Sequence, residues 1–328
     1  MIVTRTPTRI SLGGGGTDIR SYASRYGGFL ISAAINKYVY VTVNKRFEDS
    51  IRVSYSRTEI AERVEDIEHP IVREVLRLLG LGCGLEIVSI ADVPANTGLG
   101  SSGSFTVGLL NALHTFKREN VSPKVLAEEA STILMDILGE PIGKHDQYLA
   151  AFGGVACLEI SQDGTVDVSP APVCDGAVEE LENRLLLFYT GMKREASDVL
   201  GDESQALSQG NGDVTRSLHS IKDIGWRVRE ALEAGDLRRF GELLERHWQS
   251  KKRLSKKISA ACVERWHEVA RANGAVGGKL IGAGGGGFFM FCCENGDRAR
   301  LREAMVAEGL REMRFAIEPE GSKVLVNI

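Results

Sequence analysis

The chain has 328 residues, 43% of them hydrophobic and 26% charged, with 44 acidic against 40 basic side chains and a formal charge of −4. That length can supply one large or two ordinary cores. The charge balance lacks the basic excess of a nucleic-acid binder, and no run approaches eighteen apolar residues, so neither a nucleic acid nor a membrane is an expected partner. The opening residues, MIVTRTPTRISL, lack the apolar stretch and cleavage site of a signal peptide. The six cysteines form no CxxC pair and have no histidine cluster beside them. They read as reduced thiols of a cytoplasmic protein rather than as zinc ligands or disulfides.

In chain order, Tyr38 to Val43 and Ile51 to Tyr55 are β-branched and aromatic and predict strands. Pro70 to Leu79 fits an amphipathic helix, and Leu85 to Ile90 a buried strand. A helix is expected over 101–117, with Phe105, Leu109, Ala112, Leu113 and Phe116 near 3.6 spacing. Ser122-Pro123 should cap a second helix, which Gly139 and Pro141 stop near residue 138. A return strand over VACLEI precedes residues 161–183, whose Asp-Gly turns and prolines predict a domain boundary. Beyond it a strand over 184–190 and helices over 215–234, 238–248 and 259–273 are expected. Strands in KLIGA and GGFFMFCC, a helix from about 297 and short terminal strands complete the chain. The polar, glycine-rich segment 201–213 predicts a mobile loop. Mixing without strict βαβ alternation favours two α+β domains, set at residues 1–165 and 166–328.

Glycine is clustered in three places. The strongest local signal is DVPANTGLGSSGSFTVGLLNAL, residues 92–113. Here Gly98, Gly100 and Gly103 let backbone N–H groups approach a ligand, a helix start supplies free donors, and Ser101, Ser102 and Ser104 add hydroxyls. That combination suits a phosphate. Gly98 to Gly103 also matches GxGxxG, but six residues separate it from the preceding strand and a helix follows, which is poor context for a dinucleotide site. The other clusters are TPTRISLGGGGTDIRSYASRYGG at 6–28 and GGKLIGAGGGGFFMFCC at 277–293. Asp18 could read a ligand or cap the next helix. Five glycines in six positions, 282–287, exceed the needs of a hairpin.

These three segments, in this order and at this spacing, resemble motifs one, two and three of the GHMP kinases (galactokinase, homoserine kinase, mevalonate kinase, phosphomevalonate kinase), and the likeness spans the whole chain. GGGGTDI, LGEPIGKHDQYLAAFGG and HWQSKKRLSKKIS resemble the branch that phosphorylates heptose 7-phosphate. The resemblance implies a two-domain α+β fold, with an N-terminal domain like ribosomal protein S5 domain 2 and a ferredoxin-like C-terminal domain. It also implies transfer from ATP, with Mg²⁺, to the C1 hydroxyl of a small sugar phosphate; a homo-oligomer is left open. Thr97, Gly98, Leu99, Gly100, Ser101, Ser102, Gly103 and Ser104 would form the nucleotide loop, with Ser102 also toward the metal.

By the same resemblance Asp146 is the catalytic aspartate, with Arg9 as its cation and Lys144 as second choice. Gly16, Thr17, Asp18 and Gln147 would read the acceptor, and Gly284 and Gly285 would close over the ligands. The basic cluster Lys251, Lys252 and Arg253, with Lys256 and Lys257 nearby, would anchor a phosphate on the sugar or else form a solvated helix face. His145 is set aside as a packing or surface residue, since adjacent helical residues point about 100° apart. One departure stands out. Many family members carry a metal-binding glutamate eleven or twelve residues before the aspartate, where this chain has Met135 and Leu134, which cannot hold a hard cation. An unphosphorylated sugar such as fucose or galactose is the alternative acceptor. An NAD-dependent oxidoreductase and a weakly active nucleotide sensor are the alternative classes.

Overall fold

A computed structural model of the chain describes residues 1–174, 176–192, 196–255, 258 and 260–328, with backbone alone for 196–199. Strand β1 (Ile2–Gly13) runs through a glycine loop into helix α1 (Arg20–Tyr26) and then β2 (Gly28–Lys45). β3 (Ile51–Ser54), β4 (Thr58–Ala61), α2 (Pro70–Leu78), β5 (Leu85–Ala91) and α3 (Ser101–Phe116) follow, then α4 (Pro123–Ser131), α5 (His145–Phe152), β6 (Val155–Ile160) and β7 (Val166–Pro170). The second half comprises α6 (Ala177–Arg184), β8 (Leu185–Tyr189), α7 (Ala196–Ser208), α8 (Gly212–Glu233), α9 (Leu237–Lys251), α10 (Ala261–Ala272), β9 (Ala275–Leu280), β10 (Phe288–Cys293), α11 (Arg298–Ala307), β11 (Arg311–Met313) and β12 (Lys323–Asn327).

The first sheet has eight strands ordered β12-β1-β2-β5-β3-β4, with β6 also on β2 and β7 on β6. The length of β2 permits this branching: residues 39–45 pair with β5, and residues 28–33 with β6. The second sheet runs β11-β8-β10-β9. Counted from β8 that is order 4-1-3-2, the ferredoxin-like arrangement expected of the C-terminal half.

One apolar core packs α2 to α5 against the first sheet, through residues such as Val41, Leu110 and Leu149. A second joins the halves, with Ile10, Leu12, Phe29 and Ile31 against Val228, Phe240, Leu244 and Met290. Phe29 of β2 stacks on Trp226 of α8 with ring centroids 3.6 Å apart. A third core fills the far side of the second sheet around Phe188, Trp248, Phe289 and Phe291. With both faces covered, β1 is buried from Thr6 to Gly13, so the residues at its end are held rigidly.

Three expectations differ from the structure. Helix α7 crosses the segment expected to be a mobile loop, because Leu207 is buried against Leu218 and Trp248 and supplies the apolar anchor that the glycines concealed. The helix begun at Pro123 gives way at Thr132 to a wider turn, Thr132–Ile137. The segment 161–183 is not plain linker: β7 extends the first sheet and α6 leads into the second. The first sheet thus draws β7 and β12 from beyond residue 165. Ser259, where a helix was expected to begin, lies outside the described residues, and α10 starts at Ala261. No described helix is long and apolar enough to cross a membrane.

Candidate active site

A cleft of about 370 Å³ opens where the glycine loops converge, lined from both halves of the chain. The rigid end of β1 brings in Arg9 and Ser11, and the loop after it brings Gly15, Gly16 and Asp18. The loop before α3 brings Asn96, Gly98 and the helix start Gly100 to Gly103; the start of α5 brings His145 and Asp146. Lys251 from α9, Lys279 from β9 and Glu203 from α7 complete the far wall.

The centre is a chain of four charges. Arg9 is 4% exposed; its Nε donates to Asp146 Oδ1 at 2.7 Å, and Nη2 lies 2.7 Å from the same oxygen. Its Nη1 donates to the Gly98 carbonyl, which ties the carboxylate's partner to the loop backbone. Asp146 sits against that loop so closely that a Cβ on Gly103 would fall 2.9 Å from the Cβ of Asp146. On its other side, His145 Nε2 lies 2.9 Å from Asp146 Oδ1, out of line for a hydrogen bond, so this contact is one of charge. His145 Nδ1 and its backbone N–H both meet Asp18 Oδ2, at 2.7 and 3.1 Å.

Burial opposes every ionisation here, and neighbouring charges decide the outcome. For Asp146, burial raises the pKa, but Arg9 and then His145 outweigh it and hold the carboxyl well below the usual range. Burial would discharge His145, yet Asp18 and Asp146 push it up to about 9. Asp18 is likewise lowered, since His145 overcomes its burial. Near neutral pH the set therefore reads plus, minus, plus, minus from Arg9 to Asp18.

The structure brings together Arg9, Asp146, Asp18, Gly16, Gly98, Gly100, Ser101, Ser102, Gly103 and Lys251 around the cleft. Other expected residues point elsewhere. Lys144 is turned away from Asp146, donating to Glu128 at 2.9 Å and the Gly164 carbonyl at 2.9 Å. Thr17 is fully buried, its hydroxyl held between the Gly14 and Phe29 carbonyls, which leaves nothing for a sugar. The Ser104 hydroxyl donates to the Pro7 carbonyl, Thr97 to that of Pro94, and Leu99 is core. With its amide nitrogen toward the chain, Gln147 bonds to the carbonyls of Gly143 and Lys144. Arg253 is exposed outside the cleft. Gly284 and Gly285 rest on Ile258, and Gly282 and Ala283 take their place at the wall. Lys256 and Lys257 lie outside the described residues.

The sequence reading missed His145, Glu140, Glu203, His247 and Lys279 in the cleft lining. His145 was set aside on helical geometry. As the first residue of α5, however, it has Asp18 on one side of its ring and Asp146 on the other, so the 100° offset is spanned rather than lost. Lys279 had a visible signal, a lone lysine in an apolar strand. Glu203 had none, since its helix was not anticipated.

A hard cation requires oxygen ligands. The cleft offers the Ser102 hydroxyl and the carboxylates of Asp146 and Glu140, the latter raised in pKa by burial. Leu134 is core, and Asp136 pairs with Arg20 at the surface, so neither replaces the missing glutamate. Among the described residues no three His, Cys, Asp or Glu side chains converge as an all-protein metal site.

Comparisons with known proteins identify the family. The GHMP kinase N-terminal domain profile matches residues 67–154 and the C-terminal profile residues 228–311. D-glycero-alpha-D-manno-heptose 7-phosphate kinase of Campylobacter jejuni is 31% identical over 98% of each chain. A galactokinase of Pyrococcus furiosus is 25% identical over 97% of each. The crystal structure of a D-glycero-D-manno-heptose 1-phosphate kinase from Bacteroides thetaiotaomicron superposes with a TM-score of 0.81, at 25% identity and full coverage of both chains. Full-length similarity and the two matched domains establish the family: the chain belongs to the GHMP kinases, phosphotransferases with an alcohol group as acceptor.

Proposed function

We propose that the chain transfers the γ-phosphoryl group of ATP to the C1 hydroxyl of D-glycero-D-manno-heptose 7-phosphate, giving the 1,7-bisphosphate. The observation that carries the reading is the Arg9–Asp146–His145–Asp18 array beside the glycine loop. Phosphoryl transfer needs positioning and charge neutralisation more than covalent work. The loop from Gly98 to Gly103, at the start of α3, supplies N–H donors for the nucleotide phosphates. Asp146, kept ionised by Arg9, accepts the hydroxyl proton as the acceptor oxygen bonds to phosphorus and the β–γ bridge to ADP breaks. Arg9 then faces the charge that develops on the transferring group. Asp18 and His145 set the position of Asp146 and present polar atoms to the sugar.

Mg²⁺, when bound, neutralises phosphate charge; Ser102 and Glu140 are the residues that would hold it, with the ATP oxygens and water completing the shell. The acceptor assignment follows the heptose phosphate kinases named in the comparisons. The galactokinase relative supports a second reading, an unphosphorylated sugar such as galactose or fucose. ADP release with MgATP against heptose 7-phosphate, heptose 1-phosphate, mannose, galactose, fucose and no sugar tests both. Phosphorus NMR then locates the new ester. Turnover on heptose 7-phosphate with the label at C1 is expected; turnover confined to neutral sugars would replace the first reading by the second.

A further inference from the structure

The far wall of the cleft carries more buried charge than phosphoryl transfer to a neutral sugar requires. Lys251 and Lys279 are 8% and 2% exposed, His247 and Glu203 each 2%. Lys279 Nζ has His247 Nδ1 at 2.9 Å, and the opposite ring nitrogen of that histidine is buried without any partner. Lys251 donates to the carbonyls of Gly282 and Leu280. Isolated buried ammonium groups are costly, and proteins keep them where a counter-charge is to arrive. The cost is visible: burial, with the neighbouring charges of Lys251 and Arg9, drives Lys279 well below its ordinary pKa, and burial lowers Lys251. Glu203 is the acidic group whose field reaches Lys251, and burial in turn pushes its own pKa up, helped by Asp202 and then Asp18. The cluster thus adjoins Asp18 and Arg9, on the acceptor side of the cleft.

We infer that Lys251, Lys279 and His247 form a pocket within the cleft for a phosphate monoester carried by the acceptor. A dianion there meets two ammonium groups and an unpartnered imidazole nitrogen, and its charge restores the protons that burial removes from the lysines. Charge-assisted hydrogen bonds in such a site are the strong kind. Glu203, a carboxylate in the lining of the same cleft, is a rival anion. The inference rests on the proposed kinase reading, and it commits that reading to a phosphorylated acceptor.

The test is calorimetric titration of heptose 7-phosphate, unphosphorylated heptose and the nonhydrolysable nucleotide AMPPNP into the wild type, Lys279→Met, Lys251→Met and Glu203→Gln. Methionine fits a buried lysine stem, and a thermal melt confirms that each variant is folded. Each lysine variant should bind heptose 7-phosphate about 30-fold more weakly, from the 1.5–3 kcal/mol of a charged hydrogen bond. Their affinity for AMPPNP and for unphosphorylated heptose should change less than about threefold, while Glu203→Gln tightens the sugar phosphate about fivefold. Unchanged heptose 7-phosphate affinity in both lysine variants overturns the inference. So does a parallel loss of AMPPNP affinity, which would give the cluster to the nucleotide phosphates. If the wild type binds no heptose phosphate at all, the acceptor reading fails, and inorganic phosphate titrated at saturating AMPPNP decides the pocket. Binding lost in Lys279→Met sustains it, and no binding in the wild type removes it.

Discussion

Replacing Asp18 by asparagine tests the electrostatic logic of the site at its most buried link. In the native protein His145 holds its proton up to about pH 9, against an ordinary value of 6.5, because two carboxylates outweigh its burial. Asp18 is the larger of the two influences and the one that accepts from Nδ1, at 2.7 Å. The rise corresponds to about 3 kcal/mol of folding free energy. Its sign is fixed by the direction. Below pH 6.5 folded and unfolded chains both carry the proton and the contribution is complete; it is lost as the pH climbs through 9 and the folded protein lets the proton go. In Asp18→Asn the imidazole keeps its burial and the repulsion of Arg9 but loses its main counterion, so its pKa should fall to 6.5 or lower. Carbon-13 labelling of the six histidines, with His145 assigned by His145→Gln, reads this by NMR titration. Urea unfolding supplies the energy: the stability gap between wild type and His145→Gln should shrink by about 3 kcal/mol between pH 6.5 and 9. A native His145 titrating near 6.5, or one still near 9 in Asp18→Asn, would refute the charge alternation.

Asp146→Asn should reduce kcat by roughly 10²- to 10⁴-fold, the usual worth of a positioned base, with AMPPNP affinity within about threefold of wild type by calorimetry. Arg9→Met removes the cation that keeps Asp146 ionised. The acidic limb of its kcat/KM profile should therefore move to higher pH, and an unmoved limb would count against Arg9 as the partner. Glu140→Gln should raise the Mg²⁺ concentration for half-maximal rate about tenfold, the low end for loss of a metal-shell group, and tryptophan-fluorescence titration of Mg²⁺ with AMPPNP should show the same shift. Gly282→Ala puts a Cβ 2.5 Å from the Gly98 Cα at a backbone with φ near +75°. It should cost about 2 kcal/mol or more in urea unfolding.

The sequence revealed most where a local rule sufficed. Pro70, Pro123 and Ser122 marked helix starts that the structure places at the same residues. The apolar runs gave β5, β6, β8 and β10 within a residue or two. Glycine clustering located the loops, and the resemblance picked out Arg9 and Asp146, which are 137 residues apart and joined at 2.7 Å. What stayed hidden depends on the direction of side chains. Thr17, Ser104, Lys144 and Gln147 lie beside cleft residues in sequence but spend their polar atoms on backbone or Glu128. Nothing in residue type distinguishes Ser104, hydrogen-bonded to Pro7, from Ser102, open to the cleft. Conversely, His247 and Lys279 reach the cleft only because α9 packs across β9, a tertiary contact with no local signature. The addition of three strands, β6, β7 and β12, to the first sheet around β1 and β2 was equally out of reach, since β12 depends on the chain end returning to its beginning.

The backbones of Gly98 and Gly282 meet with no side chain between them, and each end of that contact is tethered to a charge. Arg9 donates to the carbonyl of Gly98, and Lys251 donates to the carbonyl of Gly282. The glycine pair is therefore a joint linking the phosphate loop to the lysine wall, with no interlocking side chain to absorb a displacement. A nucleotide that shifts the loop also shifts the carbonyl that orients Lys251, and an anion that draws Lys251 away acts back on the loop. Two ligands coupled in this way must influence each other's binding reciprocally. The order in which nucleotide and acceptor bind is then a matter of rates, while the equal effect of each on the affinity of the other runs through two residues that have no side chain.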